Sequence, residues 1–448
     1  MNILIVSFFD DNYGDMLIRI CFKNLLKAAL HNKKITDYSI DEMALKSIDE
    51  EKIKKADVIF FAGGGLFGLS YLSFAPFLDK ITEIAEKEKT PVVFSSIGIN
   101  NMDSVDGNNS LFEKILNRKN IKHIAVRENK EFFDKYSNKK EIREVCDPGL
   151  WTRYIYGIEK NKGNKCIGIN VVRGGLFKDN DKEWTLQDEM DYLSKIKNYL
   201  DKKGLDYRFY TNGSLLDNNA LRYFAKEYNV PEEKTIYPQT TKEFVECFKY
   251  FDATFSIRMH SAIVSYSLDI PAFNIVWNDK LRYFYKAVNH PDRAIEIKEW
   301  SINKVATKFN KALEEEENLD KNYLMSLYDY LFDVIEDLFP KTKKTQKYNF
   351  QEVTKYLKEI EVSKEEDYID MYYKLSLGEN RYLSLFDKDR KKGIKITELK
   401  EEIKDKKEEI KKLKDKVNKK EEQLQRIYNK FPIRVYRKIK RTFKGKKT

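Results

Sequence analysis

The sequence predicts an α/β protein with two open, mostly parallel, doubly wound sheets, followed by a helical, coiled-coil C-terminal extension. Three observations carry that prediction. Eight short β-branched and aromatic runs alternate with longer amphipathic stretches over the first 300 or so residues. Most of those runs are almost continuously apolar, as strands covered by helices on both faces require. Beyond Gly393 a seven-residue apolar repeat replaces the strand pattern.

The predicted strands of a first lobe (1–150) are Asn2–Phe9, Ala56–Ala62, Pro91–Ile99 and Ile121–Arg127. Those of a second lobe (151–340) are Lys165–Val172, Tyr207–Thr211, Thr254–Met259 and Pro271–Trp277. Several end in Gly, Asn or Ser just before a helical pattern, which is the punctuation of βαβ units. Asp147-Pro148-Gly149 marks the break between the two sets. In this architecture ligands bind at the carboxyl ends of the strands. Leu324–Leu338 is read as the helix that closes the body, and 341–393 as a helical linker.

The heptad places Ile396, Ile403, Ile410, Val417 and Leu424 at a, and Leu399, Leu413 and Ile427 at d. Lys406 and Lys420 interrupt the d seam. Residues 394–430 are therefore expected to form a short parallel coiled coil and a homo-oligomer, a solitary charged helix being the alternative.

The chain of 448 residues carries a formal net charge of +11. Residues 431–448 hold eight Lys or Arg and no acid, so the rest of the chain carries only +3. The basic signal is local to the tail. Ile433, Tyr436, Ile439 and Phe443 recur there at helical spacing, the pattern of an interfacial helix on an anionic membrane. A near-neutral body argues against nucleic acid as the partner. Cys21, Cys146, Cys166 and Cys247 lie far apart with no CxxC pair, which suits a reducing cytosol. No leader pattern and no apolar run of ~18 residues is seen, so the expected location is cytoplasmic, peripheral on the inner face of a membrane.

Site motifs follow the strand ends. Asn12-Tyr13-Gly14-Asp15 opens a helix, and Asp11 or Asp15 is a candidate to orient or deprotonate a sugar hydroxyl, Asp15 being equally a helix N-cap. Gly63-Gly64-Gly65-Leu66-Phe67-Gly68 matches G-x-G-x-x-G in letters. It does not follow the first strand and no acid ends the next one, so it reads as a tight loop that lets a ligand approach. The four histidines are scattered, and Asp179-Asn180-Asp181 and Asp387-Lys388-Asp389 lie in charged stretches, so no metal centre is expected.

The most informative stretch is Thr254–Ala262. Alternation along a strand would put Ser256, Arg258 and His260 on one face, at or near a helix N-terminus capped by Ser261. A guanidinium fork, an imidazole and free helical N–H groups make an anion site. The alternative is a buried Arg–carboxylate pair beside a satisfied histidine.

Taken in order, these motifs resemble the polysaccharide pyruvyl transferase family. The resemblance rests on Asn12-Tyr13-Gly14-Asp15, Gly63-Gly64-Gly65-Leu66-Phe67, Ser96-Ile97-Gly98, Val126-Arg127-Glu128 and Asp147-Pro148-Gly149. It continues through Ser256-Ile257-Arg258-Met259-His260, Ile270–Ile275 and Lys280, and so covers about residues 1–300. Members often carry Arg-Asp where Arg127-Glu128 stands, and Gly where Asp269 stands.

The resemblance implies two Rossmann-like lobes in a GT-B-like arrangement. It implies transfer of a pyruvyl group from phosphoenolpyruvate to a glycan or its lipid-linked precursor, as a ketal on two hydroxyls, with no cofactor. Arg258, helped by Arg127 or Arg173, would neutralise the donor. His260 would act as the acid or hold the phosphate, and Asp15 would take the hydroxyl proton. Asn12, Gly63, Gly64, Gly65, Ser261 and Lys280 complete the expected substrate site. Two other readings share the cleft: a GT-B glycosyltransferase using a nucleotide sugar, and a non-catalytic glycan-assembly subunit.

Overall fold

In a computed structural model the chain forms two compact units, 1–377 and 378–448. The residues described are 1–9, 12–100, 109–138, 141–159, 163, 166–177, 184–314, 319–360 and 404–423.

The first unit contains two six-stranded parallel sheets. In the first lobe the strands are β1 (Asn2–Ser7), β2 (Ser39–Ala44), β3 (Val58–Gly68), β4 (Val92–Asn100), β5 (Ile121–Val126) and β6 (Ile142–Glu144). Their spatial order is β2-β1-β3-β4-β5-β6. In the second lobe they are β7 (Cys166–Asn170), β8 (Asp206–Tyr210), β9 (Thr235–Ile236), β10 (Ala253–Ser256), β11 (Ala272–Val276) and β12 (Ala294–Glu296). These are ordered β12-β11-β10-β7-β8-β9. The chain reverses its direction of travel between β1 and β3 in one sheet and between β7 and β10 in the other. Such switch points leave a crevice at the carboxyl ends of the strands.

All eight predicted strands are present. The four that were not predicted are β2, β6, β9 and β12, the two edges of each sheet. Edge strands are covered on fewer sides. β9 is wholly half-buried and β2 alternates for four residues before it becomes buried, so neither presents a continuous apolar run.

Three predicted boundaries are corrected. The Gly63-Gly64-Gly65 segment is not a loop after the strand: β3 continues through it to Gly68, with φ of 75° at Gly63 and 87° at Gly64 and a shift of register before Phe67. Glycine permits those left-handed angles without ending the ladder. The second lobe does not extend to 340. The helix Lys321–Leu338 returns to the first lobe, where Tyr330 donates to the Phe94 carbonyl at 2.9 Å and Arg143 and His123 pair with Asp333 and Asp337. Residues 349–360 are no linker. The helix Phe350–Glu359 carries a capping box from Asn349 and Glu352 and buries Val353 and Leu357 against the body.

Asp269, where the resemblance leads one to expect Gly, sits just past the helix Met259–Ser267 at φ 55°, a position that favours glycine. All four cysteines are free and buried. Burial pushes the Cys146 thiol up to about 12, too high for a nucleophile. Among the described residues no helix is long and apolar enough to cross a membrane.

Candidate active site

Both switch points feed one cavity of about 170 Å³. The first lobe supplies Phe8, Asn12, Asp15, Gly65, Phe74 and Arg127, and the second supplies Arg258, Met259, His260, Trp277 and Lys280. The lobes meet tightly here because the first helix, Tyr13–Asn32, begins inside the second lobe. Tyr13 is fully buried, its N–H donates to the Asn212 carbonyl at 2.9 Å, and its hydroxyl donates to the Gln239 carbonyl. Gly213, at φ 88°, has no Cβ, and one placed there would fall on the Tyr13 ring.

Asn12, not Asp15, caps that helix. Its side chain accepts from the Gly14 N–H at 3.1 Å and donates to Asp15 Oδ2 at 3.0 Å. Asp15 thus stays in the first turn, where the helix N-terminus favours a carboxylate. It lies 3.9 Å from His260 Nδ1. His260 is 8% exposed, and its Nε2 has no protein partner. Burial lowers the imidazole pKa below the ordinary value, against the opposing pull of Asp15 and Asp147.

The strand predicted to carry Arg258 and His260 ends earlier, at Ser256. Arg258 is the N-cap position of the helix Met259–Ser267, and His260 lies in its first turn. They converge through a strand-to-helix corner rather than by alternation, a distinction that residue types alone do not make. Ser261 is not the cap. Its hydroxyl donates to Asn212 Oδ1 at 2.8 Å, and that oxygen also accepts from Asn170 Nδ2 at 3.0 Å. Asn170 Oδ1 in turn takes the Arg258 N–H at 3.2 Å.

Both arginines are held from behind by carboxylates. Asp217, fully buried, receives Arg258 Nε at 3.1 Å and Nη2 at 2.9 Å, a bidentate fork that fixes the guanidinium plane. Arg127 donates Nε to Glu128 at 2.8 Å and Nη1 to Asp147 at 2.6 Å. Burial opposes its charge, but the two carboxylates together outweigh burial and raise its pKa. Gly98 leaves room for this cluster: a Cβ there would lie 2.6 Å from Arg127 Nε. Glu128 therefore serves as an arginine ligand where the resemblance leads one to expect Asp. Among the described residues no carboxylate lies within 4 Å of Lys280 Nζ, although Asp15 and Glu128 act on Lys280 from further away. Its ammonium lies 4.7 Å from the centre of the Trp277 ring, and burial, then repulsion from Arg127, lowers its pKa to about 8.

Of the expected residues, Asn12, Asp15, Gly65, Arg127, Arg258, His260 and Lys280 line the cavity. Gly63, Gly64 and Ser261 do not line it. Arg173 does not line it, and instead its main-chain N–H donates to Asp217 at 2.8 Å. Asp11 lies outside the described residues. Sequence reasoning missed Phe8, Phe74, Met259 and Trp277 as lining, and Asp217 and Asp147 as arginine partners. Asp147 stood in a quoted motif. Asp217 had no signal, because an acid in the first turn of a helix is ordinary.

The family model described as polysaccharide pyruvyl transferase matches residues 12–279. That span holds every lining residue except Phe8 and Lys280. Comparison with curated proteins returns no match. The fold is similar to that of UDP-GlcNAc 2-epimerase from Methanocaldococcus jannaschii, at 12% identity and a TM-score of 0.50, covering 75% of this chain and 99% of that one. It is also similar to a putative UDP-N-acetylglucosamine 2-epimerase from Listeria monocytogenes, at 7% identity and a TM-score of 0.51, covering 78% and 99%. At these identities the likeness is one of fold, the GT-B-like pairing of two lobes.

Proposed function

Because the chain belongs to the polysaccharide pyruvyl transferase family, we propose that it moves the pyruvyl group of phosphoenolpyruvate onto two hydroxyls of a glycan as a cyclic ketal. The observation that carries this is the convergence of Arg127, Arg258, Lys280 and the buried imidazole of His260, whose Nε2 has no protein partner, on one cavity, with Asp15 the carboxylate among its described lining residues. A compact donor bearing both phosphate and carboxylate suits that charge pattern.

The two arginines and Lys280 hold the donor's anionic groups. His260, neutral because burial lowers its pKa, takes up the proton of the first sugar hydroxyl at Nε2. The imidazolium formed is stabilised by Asp15 and delivers that proton to carbon 3, making the methyl group and rendering carbon 2 electrophilic, and the sugar oxygen bonds to carbon 2 in the same step. The carbon–oxygen bond to phosphate then breaks, the second hydroxyl adds to carbon 2, and its proton leaves with inorganic phosphate. One phosphate is released per ketal, and the scheme calls on no metal or organic cofactor.

The test is acceptor-dependent phosphate release from phosphoenolpyruvate, combined with mass spectrometry of surface glycan from a deletion strain. Loss of the pyruvyl ketal mass from the glycan is expected. A glycan that keeps its ketal in the deletion strain overturns the reading.

The extension has a role in the same proposal. The helix over 404–423 exposes Ile410, Leu413 and Val417 at 52–54% each, along the predicted a and d seam. A second copy of the chain covers that stripe. The rest of 394–430 and the whole tail 431–448 lie outside the described residues. The tail's eight basic residues hold the enzyme at the anionic cytoplasmic face, beside a lipid-linked acceptor.

A further inference from the structure

The cavity is lined by charged groups of both lobes, Arg258, His260 and Lys280 from the second and Asp15 and Arg127 from the first, and by a pair of rings, Phe8 and Phe74, from the first. Phe8 follows β1, and Phe74 lies in the helix Leu69–Lys87. Their ring centres are 4.9 Å apart with planes inclined at 60°. Both rings are only half-buried, while the neighbouring phenylalanines Phe61, Phe67 and Phe94 are buried completely. Full burial of a phenylalanine is worth roughly 1.5–3 kcal/mol, part of which these two forgo in a cavity otherwise lined largely by charged and polar groups. The pair is also deliberately seated. A Cβ on Gly64 would lie 2.6 Å from Phe8 Cε2, so the bare backbone of β3 is what lets the ring lie there.

A pair of aromatic rings in a cavity that also holds cationic groups, with the Lys46 ammonium 4.8 Å from the centre of the Phe74 ring, matches two ligands of different character, an anion and a ring with an apolar face. A hexopyranose has such a face, formed by its axial C–H groups, with its hydroxyls around the rim. We propose that Phe8 and Phe74 form the acceptor platform, on which one hexopyranose unit of the glycan stacks and turns its hydroxyls toward Asp15 and His260. The proposal deepens the pyruvyl-transfer reading and rests on it for the donor. Asp15 comes from the first lobe as well.

The test uses the full-length protein, with methyl β-D-glucopyranoside, methyl β-D-galactopyranoside and methyl α-D-mannopyranoside as probes. Saturation-transfer NMR should show at least one of them receiving saturation mainly on the C–H groups of one ring face. Phe74→Leu and Phe8→Leu should weaken that binding about fivefold while leaving the thermal shift produced by phosphoenolpyruvate unchanged. If either variant fails to fold, phenylalanine-labelled parent protein gives the same answer, because the glycoside should shift the ring signals of Phe8 and Phe74. Equal saturation in parent and folded variants, unmoved ring signals, or no saturation from any of the three glycosides overturns the platform. Absence of a phosphoenolpyruvate thermal shift in the parent strikes the donor reading instead, and the saturation result then judges the platform alone.

Discussion

A side chain on Gly14 would place its Cβ 2.5 Å from Nδ1 of His260, so the first helix of one lobe and the imidazole of the other touch only because residue 14 is glycine. Alanine is favoured over glycine in a helix by up to about 1 kcal/mol, but overpacking a fitted contact costs about 1–3 kcal/mol. Gly14→Ala should therefore displace His260, lower kcat at least about tenfold and leave the circular dichroism spectrum unchanged. Wild-type turnover in this variant would show that His260 need not sit where it does.

Arg258→Lys should abolish donor turnover, because an ammonium cannot reproduce the fork that Asp217 holds in plane. Asp217→Asn leaves Arg258 in place without its carboxylate. Breaking a buried pair costs roughly 3–5 kcal/mol, less here because the Arg258 side chain is 17% exposed, so this variant should lose both stability and donor affinity. Thermal melts with and without phosphoenolpyruvate measure the two losses separately.

The pH profile follows from two shifted groups. His260 must be neutral to accept a proton, and burial lowers its pKa, so kcat/KM should rise with pH through a value below the usual histidine range. Lys280 must be charged to hold the donor, and its pKa is lowered to about 8, so kcat/KM should fall as pH rises through about 8. In Lys280→Arg the alkaline limb should move beyond the measurable range. An alkaline limb that stays near 8 in that variant would assign it to another group.

Full-length protein and a 1–390 truncation should differ in sedimentation, the longer chain being oligomeric and most simply a dimer. Lys406 and Lys420 sit on the seam, so changing both to Leu should tighten the pairing. Equal masses for the full-length and truncated chains would remove the coiled coil from the account.

The tail should bind anionic liposomes. Each basic residue near such a surface contributes ~1 kcal/mol, and pairing doubles the number of tails. Full-length protein should float with the vesicles at low salt and be released at high salt, whereas a 1–430 chain should remain at the bottom of the gradient.

Some of this was readable in one dimension. The central strands declared themselves because a strand buried on both faces must be apolar throughout, and the switch from that pattern to a heptad separated the extension from the body. Most of the cavity's polar residues were also legible, since they stand at strand ends next to short, glycine-containing motifs. The edge strands were not legible, because β6, β9 and β12 are two or three residues long and only partly covered. Nor was the pairing of Arg258 with Asp217, 41 positions away, or of Arg127 with Asp147. Whether an arginine faces a carboxylate or a substrate depends on which strands become neighbours, and only the folded sheets decide that. The aromatic wall depended on tertiary structure for the same reason: Phe8 and Phe74 have the composition of core residues, and their half-exposure arises from the gap that the two lobes leave between them.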